Sequence, residues 1–218
     1  MPSSPSFPSV PRQRLKEAAQ ACFELQLDED VLDRLEQFAR LLLHWNQRVS
    51  LTGASSLHEV LLDHVLDSLA ATAFVPEAGD AADLGSGAGF PGIPLAIVKP
   101  GTAFALVEPR RKRANFLREA IRELHLKNAS VIESRAEEMS SRYAQTFDLV
   151  TARALGALEQ FLRMAAPLLR PGATAIAFKG SAVHSELSSV PAGFSSPELH
   201  WYTLPNGSRH CLVLCRRA

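Results

Sequence analysis

The segment Ala81-Ala82-Asp83-Leu84-Gly85-Ser86-Gly87-Ala88-Gly89-Phe90-Pro91-Gly92 decides how the rest of the chain is read. A short apolar run ends in a carboxylate, glycine follows at every second position, and Pro91 and Pro94 open an apolar stretch that reads as a helix. The order is strand, glycine loop, helix. Glycine leaves no side chain where a ligand must approach the backbone, and it tolerates the positive φ of a tight turn. The segment predicts an α/β domain that binds a ligand beyond its first strand, with Gly85, Gly87 and Gly89 as the contact surface.

Gly87-Ala88-Gly89-Phe90-Pro91-Gly92 also satisfies the dinucleotide pattern G-x-G-x-x-G. Two neighbouring acids argue for a different ligand. Asp83 stands directly before the glycines, where a carboxylate repels a pyrophosphate and attracts a cationic amino-acid tail. Glu108 ends the next apolar run, Ala103 to Val107, at the position from which an acid accepts hydrogen bonds from both ribose hydroxyls. Together they favour S-adenosyl-L-methionine over NAD as cofactor. An NAD-binding oxidoreductase is the competing enzyme class, and a non-catalytic RNA-binding module of the same fold is the competing non-enzyme.

Downstream of the glycine loop, apolar strands alternate with helices, the pattern of a doubly wound, mostly parallel sheet. Strands are expected at 80–84, 103–108, 129–132, 147–152, 172–179, about 198–204 and 210–215. Pro205-Asn206-Gly207 predicts a turn that pairs the last two strands antiparallel. Seven strands with a final hairpin match a Rossmann-like class I methyltransferase sheet with helices on both faces. Upstream, Leu15, Ala18, Ala19, Cys22 and Phe23 share a helical face from Arg12 onward, and Asp28 reads as the N-cap of a longer helix through Trp45. A third helix is expected from Ser55 or Ser56 through Leu69. The expected division is a loose Pro/Ser tail at 1–11, an N-terminal helical cap at 12–72 and a cofactor-binding domain at 73–218.

Composition narrows the class. The chain has 218 residues, 46% of them hydrophobic, enough for one sizeable core. Lys+Arg and Asp+Glu both number 23, so any nucleic acid must be met through a local patch rather than an overall field. Cys22, Cys211 and Cys215 have no zinc spacing and suit a reducing compartment as free thiols. With no apolar run of membrane length, the expectation is a soluble cytoplasmic protein without a metal or a membrane partner.

Ligands of such sheets bind beyond the carboxyl ends of the strands. Strand three is followed by Ser134-Arg135-Ala136-Glu137-Glu138, strand four ends in Thr151-Ala152-Arg153-Ala154, and strand five ends in Phe178-Lys179-Gly180. Glu137 is placed to meet an adenine amino group. Arg153 and Lys179 face one crevice and suit an anionic or electron-rich substrate, with a structural pairing of Arg153 with a carboxylate such as Asp83 as the alternative. The run Arg110-Arg111-Lys112-Arg113 reads either as a phosphate-contacting patch or as a solvated face balanced by Glu119 and Glu123. His64, Asp67 and Ser68 lie within one helical turn and read as hydrogen-bonding groups of the cap rather than a hydrolytic relay.

These residues taken together resemble the glucose-inhibited division protein B family. The resemblance rests on Asp83 through Gly92, Glu108, Lys112-Arg113, Phe116-Leu117, Arg153-Ala154 and Lys179-Gly180, and upstream on Trp45-Asn46, Leu51-Thr52 and His64 through Leu69. It covers roughly residues 40 to 215. Ser50 departs from it, standing where the family usually shows Asn before Leu-Thr. The resemblance implies methyl transfer to N7 of a guanine in 16S ribosomal RNA, with that RNA or the small ribosomal subunit, not DNA, as partner. It further implies that Gly85 and Phe90 contact the cofactor, that Ala136 and Glu137 lie along its adenine, and that Arg153 completes the bound state. Guanine N7 already carries an available lone pair, so no catalytic base is expected.

Overall fold

The computed structural model describes residues 10–218. Most of the expected N-terminal tail lies outside the described residues, while Val10 and Pro11 open the first helix, α1 (Val10–Phe23), two residues before Arg12. α2 (Glu29–Asn46) begins where expected, because Asp28 caps it by accepting a hydrogen bond from Val31 N at 2.8 Å. Ser56 caps the next helical segment in the same way, accepting from Glu59 N at 3.2 Å. That segment is not a uniform α-helix. α3 (Leu57–Glu59) runs into a π-helical stretch, Val60–Val65, before α4 (Leu66–Leu69). Side-chain periodicity does not resolve one wider turn, and such turns recur at functional sites.

The remaining elements alternate as the apolar runs require: β1 (Gly79–Leu84), α5 (Gly92–Val98), β2 (Thr102–Val107), α6 (Arg111–Glu123), β3 (Ala129–Ile132), α7 (Ser140–Tyr143), β4 (Phe147–Arg153), α8 (Leu158–Ala165), β5 (Leu169–Gly180), β6 (Glu198–Thr203) and β7 (Arg209–Arg216). A 3₁₀ turn at Ala136–Glu138 follows β3, and a longer one at Ser181–Ser189 follows β5. The seven strands form one sheet in the order β3-β2-β1-β4-β5-β7-β6. The first five are parallel; β7 runs antiparallel to β5, and β6 pairs antiparallel with β7 through the expected turn. Strand order reverses between β1 and β4, which opens a crevice beyond their carboxyl ends.

Alternation along each strand divides the core between the two faces. Ala81, Phe104, Leu106, Leu149 and Ile176 pack with Phe38, Leu42, Ile93 and Phe116. Ala82, Leu84, Val107, Val150 and Ala175 pack with Leu158, Phe161 and Leu162 of α8 on the opposite face. Cys211 and Cys215 share the parity expected of them and are buried in this second core. The N-terminal helices belong to the first core: Phe38 of α2 meets Phe90 edge-on at 5.4 Å and lies 6.3 Å from Phe116 of α6. Truncating Phe38 to alanine would cost about 3–5 kcal/mol. The cap thus fixes the rear of the glycine loop, which ties its packing to the site.

Candidate active site

The loop after β1 folds over the end of β2. Gly85 N and Ser86 N both donate to Val107 O, at 2.9 and 3.0 Å, and Gly89 N donates to Ser86 O at 2.7 Å. Gly85 has φ +70°, and a Cβ there would stand 2.7 Å from Leu155 Cδ1, so this glycine meets both a backbone and a packing requirement. Gly87 also has positive φ, +53°, yet a Cβ there would meet nothing closer than Arg113 Nη1 at 3.6 Å. A Cβ at Gly87 would stand at ordinary contact distance from Arg113 Nη1 and Gly85 O, without a clash.

Glu108 follows β2 by one residue and is buried, and its two oxygens are divided between two backbone amides. Oε2 accepts from Gly87 N at 3.0 Å and Oε1 from Arg110 N at 2.8 Å. The expected ribose acid therefore also anchors the loop, a role the sequence did not disclose.

Two expected cofactor contacts sit deeper than the sequence reading placed them. Asp83 has no exposed surface; Thr151 Oγ1 donates to its Oδ1 at 3.1 Å and Gly92 N to its Oδ2 at 3.3 Å. Burial pushes its carboxyl up to about 6, against the hydrogen bonds it accepts. Contrary to expectation, Asp83 does not face the crevice to repel a pyrophosphate there; its side chain holds the loop from beneath. Phe90 is 4% exposed, with the His64 ring 5.2 Å away and the Arg153 guanidinium 4.7 Å over its face. It is a platform for Arg153 rather than an open ring.

Arg153 ends β4 in a cavity of about 520 Å³ lined also by His64, Asp67, Lys179 and His210. It does pair with a carboxylate, as the structural alternative expected, but with Asp67 in place of Asp83, Nη1 donating to Oδ2 at 3.1 Å. Ala154, next in the chain, is held at φ +58°, a conformation costly for a residue with a Cβ. Lys179 reaches the same cavity, but Nζ donates to Gly156 O and to Glu186 Oε2, both at 2.8 Å. It braces the 154–157 loop rather than standing free. Ala136 and exposed Glu137 line a separate depression of about 470 Å³ with Ala157, Gln160 and Met164.

Asp67 is the residue sequence reasoning undervalued. Its Oδ1 accepts from Tyr202 Oη at 2.6 Å and from His210 Nδ1 at 2.8 Å, while Oδ2 takes Arg153. Burial raises its pKa, but hydrogen bonds from His210 and Tyr202 and the charge of Arg153 outweigh that and hold it below the ordinary value. The hydrogen bond to Asp67 raises His210, whereas burial and then Arg153 lower His64. The hydrogen-bonding role expected of Asp67 from its place on the cap agrees with the structure, but its partners were not legible. Its partners lie 86 to 143 residues away in the chain.

The basic run is now divided. Arg122 pairs with Glu119 and Glu123, and Arg118 with Glu133. Among the described residues, Arg110, Arg111, Lys112 and Arg113 form no ion pair; the first three are exposed, and Arg113 lies beside the glycine loop.

A sheet of this order with an antiparallel β7, a glycine loop after β1 and an acid after β2 defines a Rossmann-like class I methyltransferase. Solved structures of this class share the fold: TrmN from Thermus thermophilus, with TM-score 0.57, 20% identity and coverage of 86% of this chain and 53% of that one, and M. jannaschii TYW2 in complex with AdoMet, with TM-score 0.54, 15% identity and coverage of 71% and 76%. The chain belongs to the GidB family, rRNA small subunit methyltransferase G, which it matches over residues 31–212. Ribosomal RNA small subunit methyltransferase G of Xanthomonas euvesicatoria pv. vesicatoria is 42% identical over 190 residues, covering 86% of this chain and 88% of that protein. Its counterpart in Stenotrophomonas maltophilia is 41% identical over 197 residues, covering 89% and 92%. Among the described residues no helix is long and apolar enough to cross a membrane.

Proposed function

We propose that this chain transfers a methyl group from S-adenosyl-L-methionine to N7 of a guanine in 16S ribosomal RNA, in the cytoplasm, on the naked RNA or the small ribosomal subunit. The observation that carries the reading is Arg153: it stands at the strand-order reversal beside the glycine loop, and among the described residues only its Nη1 is engaged by protein. Its remaining donors suit the electron-rich edge of a guanine or a phosphate.

The residues fit the cofactor. The missing side chain at Gly87 suits a ligand lying against the loop, Glu108 suits the ribose, and the depression at Ala136 and Glu137 suits an adenine. Asp83 and Phe90 act behind this surface, the first by holding Gly92 and the second by carrying Arg153. When bound, S-adenosyl-L-methionine supplies a methyl carbon activated by the adjacent sulfonium. The N7 lone pair needs no proton removed, so the chain's own residues have only to orient the base and exclude water. Orientation alone contributes up to about 7–11 kcal/mol in well-aligned cases. Arg110, Arg111, Lys112 and Arg113 suit the phosphates flanking the target.

The test is labelled-methyl transfer from S-adenosyl-L-methionine to unmodified small-subunit RNA and subunits, with the product nucleoside identified by mass spectrometry. N7-methylguanosine is expected, and Arg153→Ala should abolish transfer in a protein that still folds. A different methylated nucleoside would overturn the assignment of N7.

A further inference from the structure

We infer that Asp67 is a positioning residue: it holds the Arg153 guanidinium against the Phe90 ring at the cavity wall, and links that placement to the C-terminal hairpin through Tyr202 and His210. The inference rests on the proposed methyl transfer and concerns how the substrate side of that site is built.

The arrangement is a carboxylate with its valences divided by direction. Asp67 is 3% exposed and comes from α4, directly after the π-helical turns, whereas Arg153 comes from β4, Tyr202 from β6 and His210 from β7. Oδ2 takes one edge of the guanidinium at 3.1 Å, and Oδ1 takes the Tyr202 hydroxyl at 2.6 Å and His210 Nδ1 at 2.8 Å. His210 is fixed from its other side, with Nε2 2.9 Å from Ser208 Oγ. Phe90 supplies the face on which the guanidinium lies, 4.7 Å from its carbon to the ring centroid. The hydrogen bond from Nη1 and the contact with the ring together restrain the cation where it lines the cavity.

A buried carboxylate needs hydrogen bonds for its remaining lone pairs, and here those donors come from the C-terminal hairpin rather than from the element that carries Arg153. Here two neutral-capable groups from the hairpin occupy the second oxygen, so the first oxygen cannot rotate away from Arg153 without breaking both bonds. Asp67 does not itself need to touch the substrate. Its effect reaches the reacting base through Arg153, and misplacement by about 1 Å at such a group lowers turnover on the order of a hundredfold.

Two readouts test this in the full-length protein. The first is turnover on unmodified small-subunit RNA. For Asp67→Asn, which retains shape but loses charge, kcat should fall about tenfold or more while KM for RNA stays within about threefold. The second is side-chain NMR of ¹⁵N-arginine-labelled protein without cofactor, the Arg153 signal being assigned by its absence in Arg153→Lys. Guanidinium rotation should be restricted in the unsubstituted chain and free in Asp67→Asn. Tyr202→Phe, which removes a single hydroxyl, should move both readouts in the same direction by a smaller amount, and it carries the test if Asp67→Asn fails to fold. Unchanged kcat, or a fall in kcat with Arg153 still restricted, would overturn the inference. Failure of the unsubstituted chain to methylate guanine N7 would instead overturn the proposed function, and the NMR comparison would still decide whether Asp67 holds Arg153.

Discussion

Glu108 Oε2 accepts a hydrogen bond from Gly87 N at 3.0 Å, so the acid after β2 fixes the glycine loop after β1. Its other oxygen fixes Arg110 N at the start of α6. A glutamine at 108 has one carbonyl oxygen in place of two carboxylate oxygens and leaves either the buried Gly87 amide or the part-buried Arg110 amide without its acceptor. Glu108→Gln should lower stability by about 1–3 kcal/mol and weaken S-adenosyl-L-methionine binding at least about tenfold, since hydrogen bonds to a charged group are at stake. Urea unfolding and calorimetric titration measure the two effects separately. Lower stability with unchanged affinity would leave Glu108 as a loop anchor alone.

Gly87 and Gly92 should fail in opposite ways. A Cβ at Gly92 would stand 2.4 Å from Leu106 Cδ2 and 2.9 Å from Asp83 Oδ2, inside the core. Gly92→Ala should therefore cost on the order of 1–3 kcal/mol of stability by overpacking. At Gly87 the neighbours of a Cβ are 3.6 Å or further, so the cost to the fold is chiefly the positive φ, about 1–2 kcal/mol and more for a β-branched residue. Gly87→Val should leave a folded protein that no longer binds S-adenosyl-L-methionine. Equal affinity in this variant and the unsubstituted chain would place the cofactor elsewhere.

The difference between those two glycines marks what the sequence could disclose. Sheet, loop and strand ends were legible because alternation and glycine spacing are local signals, and the strand expectations lie within a few residues of the observed bounds. The direction in which a polar side chain turns is not local. Asp83 was read as facing the crevice, but its place on β1 directs it to the core side, where Thr151 and Gly92 receive it. Asp67, Tyr202 and His210 carry no shared motif, since α4, β6 and β7 converge only in the folded chain. Likewise spacing alone does not say which cation the acids of α6 neutralise: Glu119 and Glu123 pair with Arg122, not with Arg110 to Arg113.

Those four cations should act on RNA rather than on the fold. Each phosphate contact contributes about 0.7–0.9 to the slope of log affinity against log salt. Replacing Arg110, Arg111, Lys112 and Arg113 by glutamine should reduce that slope by about three if all four meet phosphates. Stability should change by no more than about 0.5 kcal/mol per site, because no ion pair is lost among the described residues. Filter binding of small-subunit RNA across a salt series reads the slope directly. An unaltered slope would reduce the run to a solvated helix end.

Asp83 gives stability a pH dependence of definite sign. Its pKa is raised from 3.8 to about 6 chiefly by burial, so the folded state takes up a proton that the unfolded state releases between those values. Stability contributed by this group falls as pH rises from near 4 to about 6 and is level above that. The rise from 3.8 to about 6 corresponds to roughly 3 kcal/mol above the window. Asparagine at this position retains the shape without the charge: its carbonyl accepts from Gly92 N, and the Thr151 hydroxyl turns to accept from its amide. Asp83→Asn should match the unsubstituted chain near pH 4 and exceed it by up to about 3 kcal/mol at pH 8. Urea unfolding of both proteins across that range isolates the effect, because the opposing contribution of Asp67, lost as pH falls through its lowered pKa, cancels in the difference. A difference that stays constant with pH would mean that Asp83 titrates alike in the folded and unfolded chains, and the loop would then rest on an ordinary ionised carboxylate.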